Sequence, residues 1–413
     1  MEQARVIKLQ IYPNEEQAQS LSDTMLEYCR VCNLVSQWVF DNDFVFSHKR
    51  INDALYYQVR ADSSLNAHMV QNTFRTVTAK YKTVQTQLLK APVKYKDGDE
   101  IKKYYDAQRH LVTKDIYWLQ KPIQFKTPQC DLVRNEEYSF VENGQMLSIS
   151  TINGRIKIPF RCCSHFAPLL DWKLGTAKLV YKFNRWFIHI SATREISDYV
   201  KEGTQTVVGI DRGLRFITVT YDGINTFFCR GAEVIEKRHH FAKVRQQLQL
   251  KNTKSSRRRL RRIESRENRY MTDFNHCLSK ALVQNYDSNT LYILEDLEGV
   301  SIDEKNLHCS KQNRADKRSW AFYQLEQFLK YKAEAVGSFA INVSPRYTSQ
   351  RCPVCGVVDK TQRNHDRHEY HCHCGYRSND DRVGAINIRE LGLRYLNGQK
   401  NPKFVKTKVT RAV

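Results

Sequence analysis

No apolar run in the 413-residue chain approaches the roughly 20 residues that cross a bilayer. The opening stretch, MEQARVIKLQIYPNEEQ, lacks the apolar core of a secretory signal. These two absences predict a soluble, cytoplasmic protein with no membrane partner. Internal repeats are missing, as are low-complexity tracts apart from one basic run. Acidic residues are scarce beside basic ones: 44 Asp and Glu face 66 Lys and Arg, a formal charge of +22. That imbalance is far from the near-neutral state of most soluble enzymes and points to a polyanionic partner, nucleic acid first.

A disulfide framework is missing too. The twelve cysteines are irregularly spaced in a long chain without a secretory signal, and cytosolic thiols stay reduced. Cys130, Cys162, Cys163, Cys229, Cys277 and Cys309 have no partner at ligand spacing and are expected to be buried as small hydrophobes. Cys29 and Cys32 form C-x-x-C, but their helical flanks carry no turn-forming Gly or Pro and no second pair lies nearby. Packing on one helix face is the expectation there.

What is present falls into three textures, which suits two or three domains, and with 41% hydrophobic residues a sizeable core can form. ARVIKLQIYP alternates like a strand, and helical spacing follows behind Asn14. Helical patterns continue through AHMVQNTFRTVTAKYKTVQTQLL and YYDAQRHLVTK. From residue 122 short alternating segments take over, among them PIQFKT, GRIKIPF and TAKLVYKFNRWFIHISA, with Asn-Gly turns at 143 and 153. They predict a small β-barrel or meander. The lone first strand is expected to pair there, making the helices an insertion. The third texture begins with QTVVGID, a strand ending in Asp211, then two strands in hairpin succession. One long helix should follow, with Leu260, Ile263, Tyr270, Phe274, Cys277 and Ala281 on its apolar face. Next come LYILE ending in Glu295, an amphipathic helix, the strand FAINVSP and, beyond a cysteine segment, a closing helix from about Asp380.

Cys352 and Cys355 as C-x-x-C, then Cys372 and Cys374 as C-x-C, each pair followed by glycine, have the spacing of a zinc ribbon. Four thiolates close the shell around Zn²⁺ and leave no open position, so such a zinc is structural. The second knuckle is one residue shorter than usual and is flanked by His371 and His373, one of which replacing a thiolate is the alternative.

Asp211, Glu295 and an aspartate at the last helix each read singly as a cap or surface acid. In the order of strand, meander, later strand and acid-led helix they describe a ribonuclease H-like fold, whose acids converge on two divalent cations, Mg²⁺ or Mn²⁺. Helix geometry ranks the two adjacent aspartates: the small and apolar Gly384, Ala385 and Ile388 share a face with Asp381, whereas Val383, Gly384 and Asn387 share one with Asp380. Asp381 is therefore the better candidate ligand. Between Lys251 and Arg269 stand nine Lys or Arg against two Glu. Lys251, Lys254, Arg257, Arg258, Arg259, Arg261 and Arg262 are predicted to make sequence-blind phosphate contacts, as are Arg351, Arg363 and Arg367 around the ribbon.

GIDRG, ILEDL, FYQLEQFLKYKAEAVG, YTSQRCPVCG and the CGY leading to NDDRVGAINI resemble, in that order, the C-terminal half of TnpB proteins, the RNA-guided endonucleases of bacterial transposons. They are also similar to the related miniature type V CRISPR effectors. The likeness covers about residues 205–395, and LQIYPNEEQ, VQNTFRTVTAKYK and GRIKIPF extend it into the N-terminal half. It implies a multidomain α+β chain: a wedge β-barrel domain (1–14 and 122–200) with an inserted helical recognition domain (15–121). An RNase H-like RuvC nuclease domain (201–345 and 377–395) follows, interrupted by a zinc-ribbon target-binding segment (346–376), and a basic, flexible tail (396–413) closes the chain.

By the resemblance, Asp211 and Glu295 match the first two RuvC acids. The family's closing pattern, C-G-x-x-x-N-A-D-x-N-A-A-x-N-I, puts Asp381 in the acid place, with Asp380, Val383 and Gly384 departing from it. Loss of Asp380 is accordingly expected to be tolerated far better than loss of Asp381. Gln71 and Asn72 match a pair near the point where a target-adjacent motif is read, and a Gln side chain can bond an adenine edge. The resemblance further implies a guide RNA and target double-stranded DNA as partners, one protein copy per guide in preference to two, and one RuvC site cutting both strands in turn. A miniature CRISPR effector and a nuclease-silent RNA-guided DNA-binding regulator are the alternatives, the presence of all three acids counting against the second.

Overall fold

The computed structural model describes residues 2–98, 100–196, 198–297, 322–364 and 367–406, in two units, Glu2–Glu195 and the chain from Ile196 onward. In the first unit, β1 (Glu2–Ile11) leads into α1 (Glu15–Asp41), α2 (His48–Asp62) and α3 (Ala67–Leu89). A hairpin of β2 (Lys94–Asp97) and β3 (Glu100–Lys103) follows. Then come β4 (Cys130–Leu132), β5 (Tyr138–Val141), β6 (Met146–Thr151), β7 (Gly154–Cys162), β8 (Lys173–Lys182) and β9 (Arg185–Glu195). The strands form one antiparallel sheet in the order β4-β8-β9-β1-β7-β6-β5. Its two edge strands, β4 and β5, are joined only by residues 133–137, so the sheet must curl until its edges approach.

Because β1 lies between β9 and β7, the three helices are an insertion within the sheet. Ile7, Leu9 and Ile11 alternate inward from β1, and the helices lay Leu21, Tyr28, Val35, Phe74 and Tyr81 on the same core. A reciprocal pair of bonds between Asn14 and Gln17 starts α1. Cys29 and Cys32 are buried on one face of that helix.

Two elements differ from expectation. YYDAQRHLVTK is not helical, since Asp106 accepts bonds from the amides of Gln108 and His110 and Arg109 adopts φ +64°, a turn conformation. PIQFKT belongs to no strand; side chains of α1 take its backbone instead, with Asn33 bonded to Phe125 and Ser36 to the Ile123 carbonyl. Of the cysteines expected inside, Cys130 is buried, Cys162 and Cys229 are half-buried, and Cys163 and Cys277 are exposed. Cys309 lies outside the described residues.

The second unit opens with β10 (Thr206–Asp211), β11 (Phe216–Tyr221) and β12 (Thr226–Arg230). Helices α4 (Ala232–Lys251) and α5 (Lys254–Gln284), strand β13 (Thr290–Glu295), helix α6 (Phe322–Ala335) and strand β14 (Phe339–Val343) follow. A small sheet of β15 (Arg363–Asn364), β16 (Glu369–His371) and β17 (Arg377–Asn379) leads into α7 (Asp380–Leu396). The main sheet runs β12-β11-β10-β13-β14, an antiparallel meander joined to two parallel strands. Strand alternation divides it into two faces. Val208, Ile210, Tyr292 and Leu294 meet α5 and α6, while Val207, Leu291 and Ile293 meet Ile388 and Leu391 of α7.

The expected long helix is α5, which holds all six named positions; α4 precedes it, and the two are separated where Asn252 takes a left-handed φ of +44° and Thr253 caps α5. The inward face of α5 is also shifted. Ile263, Glu267, Met271, Asn275, Ser279 and Leu282 are buried while Cys277 is exposed, because buried polar groups on α5 bond neighbouring helices. The closing tail is ordered further than expected: Phe404 is 3% exposed, packed in the α7 cluster under the guanidinium groups of Arg351 and Arg394. The rest of the tail, residues 407–413, lies outside the described residues.

Candidate active site

Asp211 and Glu295 occupy the C-terminal ends of adjacent parallel strands. The register pairs Ile210 with Leu294, so the two acids stand side by side one residue further on. Alternation along β10 and β13 puts them on the face that carries α7, with Val207 and Leu291. Asp381 lies in the first turn of α7, whose amides at Asp381 and Arg382 are capped by the Asn379 side chain. Helix α7 can come this close because Gly384 has no side chain: a Cβ there would sit 2.6 Å from Oδ2 of Asp211. The three sequence-predicted acids are thus brought to one edge of one sheet.

Their electrostatics agree with that proximity. Burial, then repulsion from Glu295 and Asp381, pushes the Asp211 carboxyl well above the usual carboxylate range. Burial raises Glu295 as well, against the opposing hydrogen bond from the Thr348 hydroxyl. Burial and the charge of Asp380 raise Asp381, against the pull of Arg363. Hard carboxylate oxygens are the donor type a divalent cation takes, and a cation would relieve this repulsion; Asp381 also lies with Asp380 and His368 in a cluster whose ligand atoms are within 4.8 Å of one another.

Several supporting residues carry no sequence signal. Arg212 is buried and bonds Oε2 of Glu326 at 3.0 Å and the backbone carbonyl of Glu295. Glu326 also accepts from Lys330 and Asn342. This network ties α6 and β14 to the ends of β10 and β13. Arg212→Ala would take from buried Glu326 one of its three partners and from the Glu295 carbonyl its donor, and is expected to destabilise the second unit by about 1.5–3 kcal/mol. Urea denaturation measures this; a change below about 1 kcal/mol would show the pair to be dispensable.

Asp380, expected to be a tolerant neighbour, is fully buried and ion-paired, Arg363 Nε donating to its Oδ2 at 2.9 Å. Arg363 is thereby turned toward the acids and away from the ribbon's outer surface. Arg351 is likewise turned inward, bonding Oδ1 of Asn387 at 3.1 Å, and burial lowers its guanidinium pKa. The amide of Asn387 in turn donates to the carbonyls of Thr348 and Arg351, bolting the entry of the ribbon to α7. Arg367 is exposed.

In the ribbon, the sulfurs of Cys352, Cys355, Cys372 and Cys374 all lie within 4.8 Å of one another. Cys352 and Cys374 are 3.7 Å apart, and Cys355 and Cys372 3.4 Å. A tetrahedron with Zn–S of about 2.3 Å has an edge of about 3.8 Å, so the cluster fits a zinc ion. The backbone amide of Tyr376 and the neighbouring thiols bring Cys374 down to about 7, which favours the thiolate. His371 pairs with Glu369, and His373 is 84% exposed near Asp359, so neither histidine joins the four sulfurs.

Among residues predicted to meet nucleic acid, Lys251, Lys254, Arg257, Arg258, Arg259, Arg261 and Arg262 are all exposed at the α4–α5 junction and along α5. Gln71 is partly exposed on α3. Asn72 is not available: it is buried and bonds Oε2 of Glu137, because α3 turns this side chain toward the sheet.

Residues 190–298 match the family "Probable transposase", and residues 322–388 match "Cas12f1-like, TNB domain". The chain is 27% identical over 224 residues to "Putative RNA-guided DNA endonuclease InsQ" of Escherichia coli, covering 50% of this chain and 54% of that protein. It is 27% identical over 226 residues to the CRISPR-associated endodeoxyribonuclease Cas12f1 of Syntrophomonas palmitatica, covering 50% and 42%. The chain thus spans about half the length of the curated relatives it matches. In fold it is similar to Cas12f1 solved with sgRNA and target DNA, with a TM-score of 0.57 at 11% identity over 94% of this chain and 98% of that one. The second unit thus matches a transposase family model and a Cas12f1-like domain model, and the chain is similar in sequence to RNA-guided and CRISPR-associated endonucleases and in fold to Cas12f1.

Proposed function

We propose that this protein is an RNA-guided DNA endonuclease of TnpB type, in which one RuvC site cuts guide-complementary double-stranded DNA. The observation that carries the reading is the convergence of Asp211, Glu295 and Asp381 at one sheet edge, beside a closed four-cysteine ribbon. Asp211, Glu295 and Asp381 would hold Mg²⁺ or Mn²⁺, which in such a site activates water and stabilises the leaving oxygen of a phosphodiester. Arg212 and Thr348 fix Glu295 from the sheet side and the ribbon side. The ribbon, with its zinc, does no chemistry and positions what surrounds the acids. Residues 1–14 and 122–200 would form the wedge domain, 15–121 the recognition domain, with Gln71 near a short target-adjacent motif. Pairing with a guide RNA would read the rest of the target. One protein copy per guide and a cytoplasmic location complete the reading; no described helix is long and apolar enough to cross a membrane.

The exposed basic residues of α5 suit the guide RNA or its heteroduplex. Changing Arg257, Arg258 and Arg261 together to Ala is expected to weaken RNA binding and to reduce the salt slope of log K by about 0.7–0.9 for each phosphate no longer neutralised. Gel shifts across a salt series measure both, and an unchanged slope would assign these residues to solvent. The match of residues 322–388 to the Cas12f1-like domain keeps a miniature CRISPR effector as the second reading. Sequencing the RNA that co-purifies with the protein separates the two. A transcript from a transposon end supports the TnpB reading, a repeat-spacer transcript the CRISPR one, and absence of any bound RNA contradicts both.

A further inference from the structure

The residue at position 380 departs from the alanine of the family pattern, and the structure gives the departure a partner. Asp380 is 0% exposed, and a buried carboxylate persists only when paired. Its Oδ2 takes the Nε–H of Arg363 at 2.9 Å. Its Oδ1 takes the backbone amide of Asp381 at 3.0 Å and lies 3.5 Å from Nδ1 of His368. The start of the helix does not depend on Asp380, because Asn379 also accepts the Asp381 amide.

Arg363 reaches from β15 of the ribbon with a planar, forked head. One side of the fork is fastened to Asp380. The other, its second terminal nitrogen, forms a looser ion pair with Oδ1 of Asp381 at 3.6 Å, just beyond hydrogen-bond distance. A guanidinium released from Asp380 would have Asp381 as its nearest anion, and a bidentate pair there would occupy the oxygens that a cation needs.

We propose that Asp380 is a positioning residue that keeps the Arg363 guanidinium from closing on Asp381 as a bidentate pair, so that the Asp381 oxygens stay open to a divalent cation while a positive group stands beside them. A fixed cation at that distance also suits the oxyanion of a phosphodiester undergoing attack. The inference rests on the reading of Asp211, Glu295 and Asp381 as a metal site.

The test is Mn²⁺ binding to the zinc-loaded, full-length protein without RNA, followed by the electron paramagnetic resonance of free Mn²⁺. Asp381→Ala marks the site by abolishing the tight binding; if that variant binds as the wild type does, the metal-site reading itself fails. With that control in place, Asp380→Asn is expected to weaken binding roughly tenfold. Adding Arg363→Ala to Asp380→Asn should return the affinity to within about twofold of Arg363→Ala alone. Wild-type binding by Asp380→Asn overturns the proposal. So does an equal loss in the Arg363→Ala background, because that is the effect of one missing charge and not of a released arginine. Should Asp380→Asn fail to fold, Arg363→Lys asks the same question: an ammonium without the Nε donor leaves Asp380 and settles on Asp381. Binding should weaken, and wild-type binding by Arg363→Lys overturns the proposal.

Discussion

Replacing Asp211 by alanine should lower DNA cleavage by about three orders of magnitude or more while leaving guide-RNA affinity within about twofold. Asp211 is the most crowded of the three acids, pressed by Glu295 from the next strand and Asp381 from α7. Removing it takes away one anion of the set that attracts the cation and leaves the sheet otherwise unchanged, since Gly384 merely gains space. The α5 basic face lies on separate residues, which is why RNA binding should survive. Asp211→Asn is expected to be nearly as inactive, because an amide keeps the shape but not the charge. The same crowding sets a pH dependence. A carboxyl whose pKa is raised keeps its proton to higher pH and competes with the cation, so the Mn²⁺ needed for half-maximal cleavage should fall as pH rises above the usual carboxylate range. Single-turnover cleavage beside filter binding measures both; loss of RNA binding in parallel would point to unfolding.

Depriving the four cysteines of zinc should be nearly as damaging, although a closed four-thiolate site would perform no chemistry. Structural zinc sites of this kind contribute about 10–16 kcal/mol to folding their own segment. Cys352, fully buried, and Cys372 form a small core with Tyr370 and Val383 of α7, so the ribbon and the helix that carries Asp381 share a packing unit. Asn387 on Thr348 and Arg351, and Arg363 on Asp380, cross between the same two parts, and Thr348 on Glu295 ties the ribbon to the end of β13. Cys352→Ser, or chelation, is therefore expected to abolish cleavage and lower thermal stability while RNA binding by the α5 face persists. Zinc content by elemental analysis, cleavage and gel shift on the same samples make the test. Full cleavage by zinc-free protein would show that the ribbon does not position the acids.

The acids are legible in the sequence because each stands at the end of a strongly patterned element. VVGID and LYILE are short apolar runs that suit only buried strands, and their final residues emerge at the same sheet edge. The cysteine spacing is equally direct. What stays hidden are pairs whose members are remote in sequence: Arg212 with Glu326, and Arg363 with Asp380. Neither lies at a helical or strand period, so only tertiary packing reveals them. Asp380 ranks second on helical geometry alone, yet α7 is buried on both faces that the comparison separates, from Val383 to Gly392. Asn72 misleads for the opposite reason. A polar residue in an apolar-patterned helix reads as surface until a buried Glu137 supplies its partner. The tail reads as mobile because a single aromatic, Phe404, docks it without any periodic pattern.

The central claim is that these acids cut DNA under the direction of RNA. Full-length protein purified with RNA transcribed from its own locus should, in Mg²⁺, cleave a plasmid carrying the guide-matched sequence beside a randomised flank. Cleaved molecules should share one short flanking motif, and the Asp211→Ala protein should cut none. Equal cleavage without RNA, or cleavage that survives Asp211→Ala, would contradict the account.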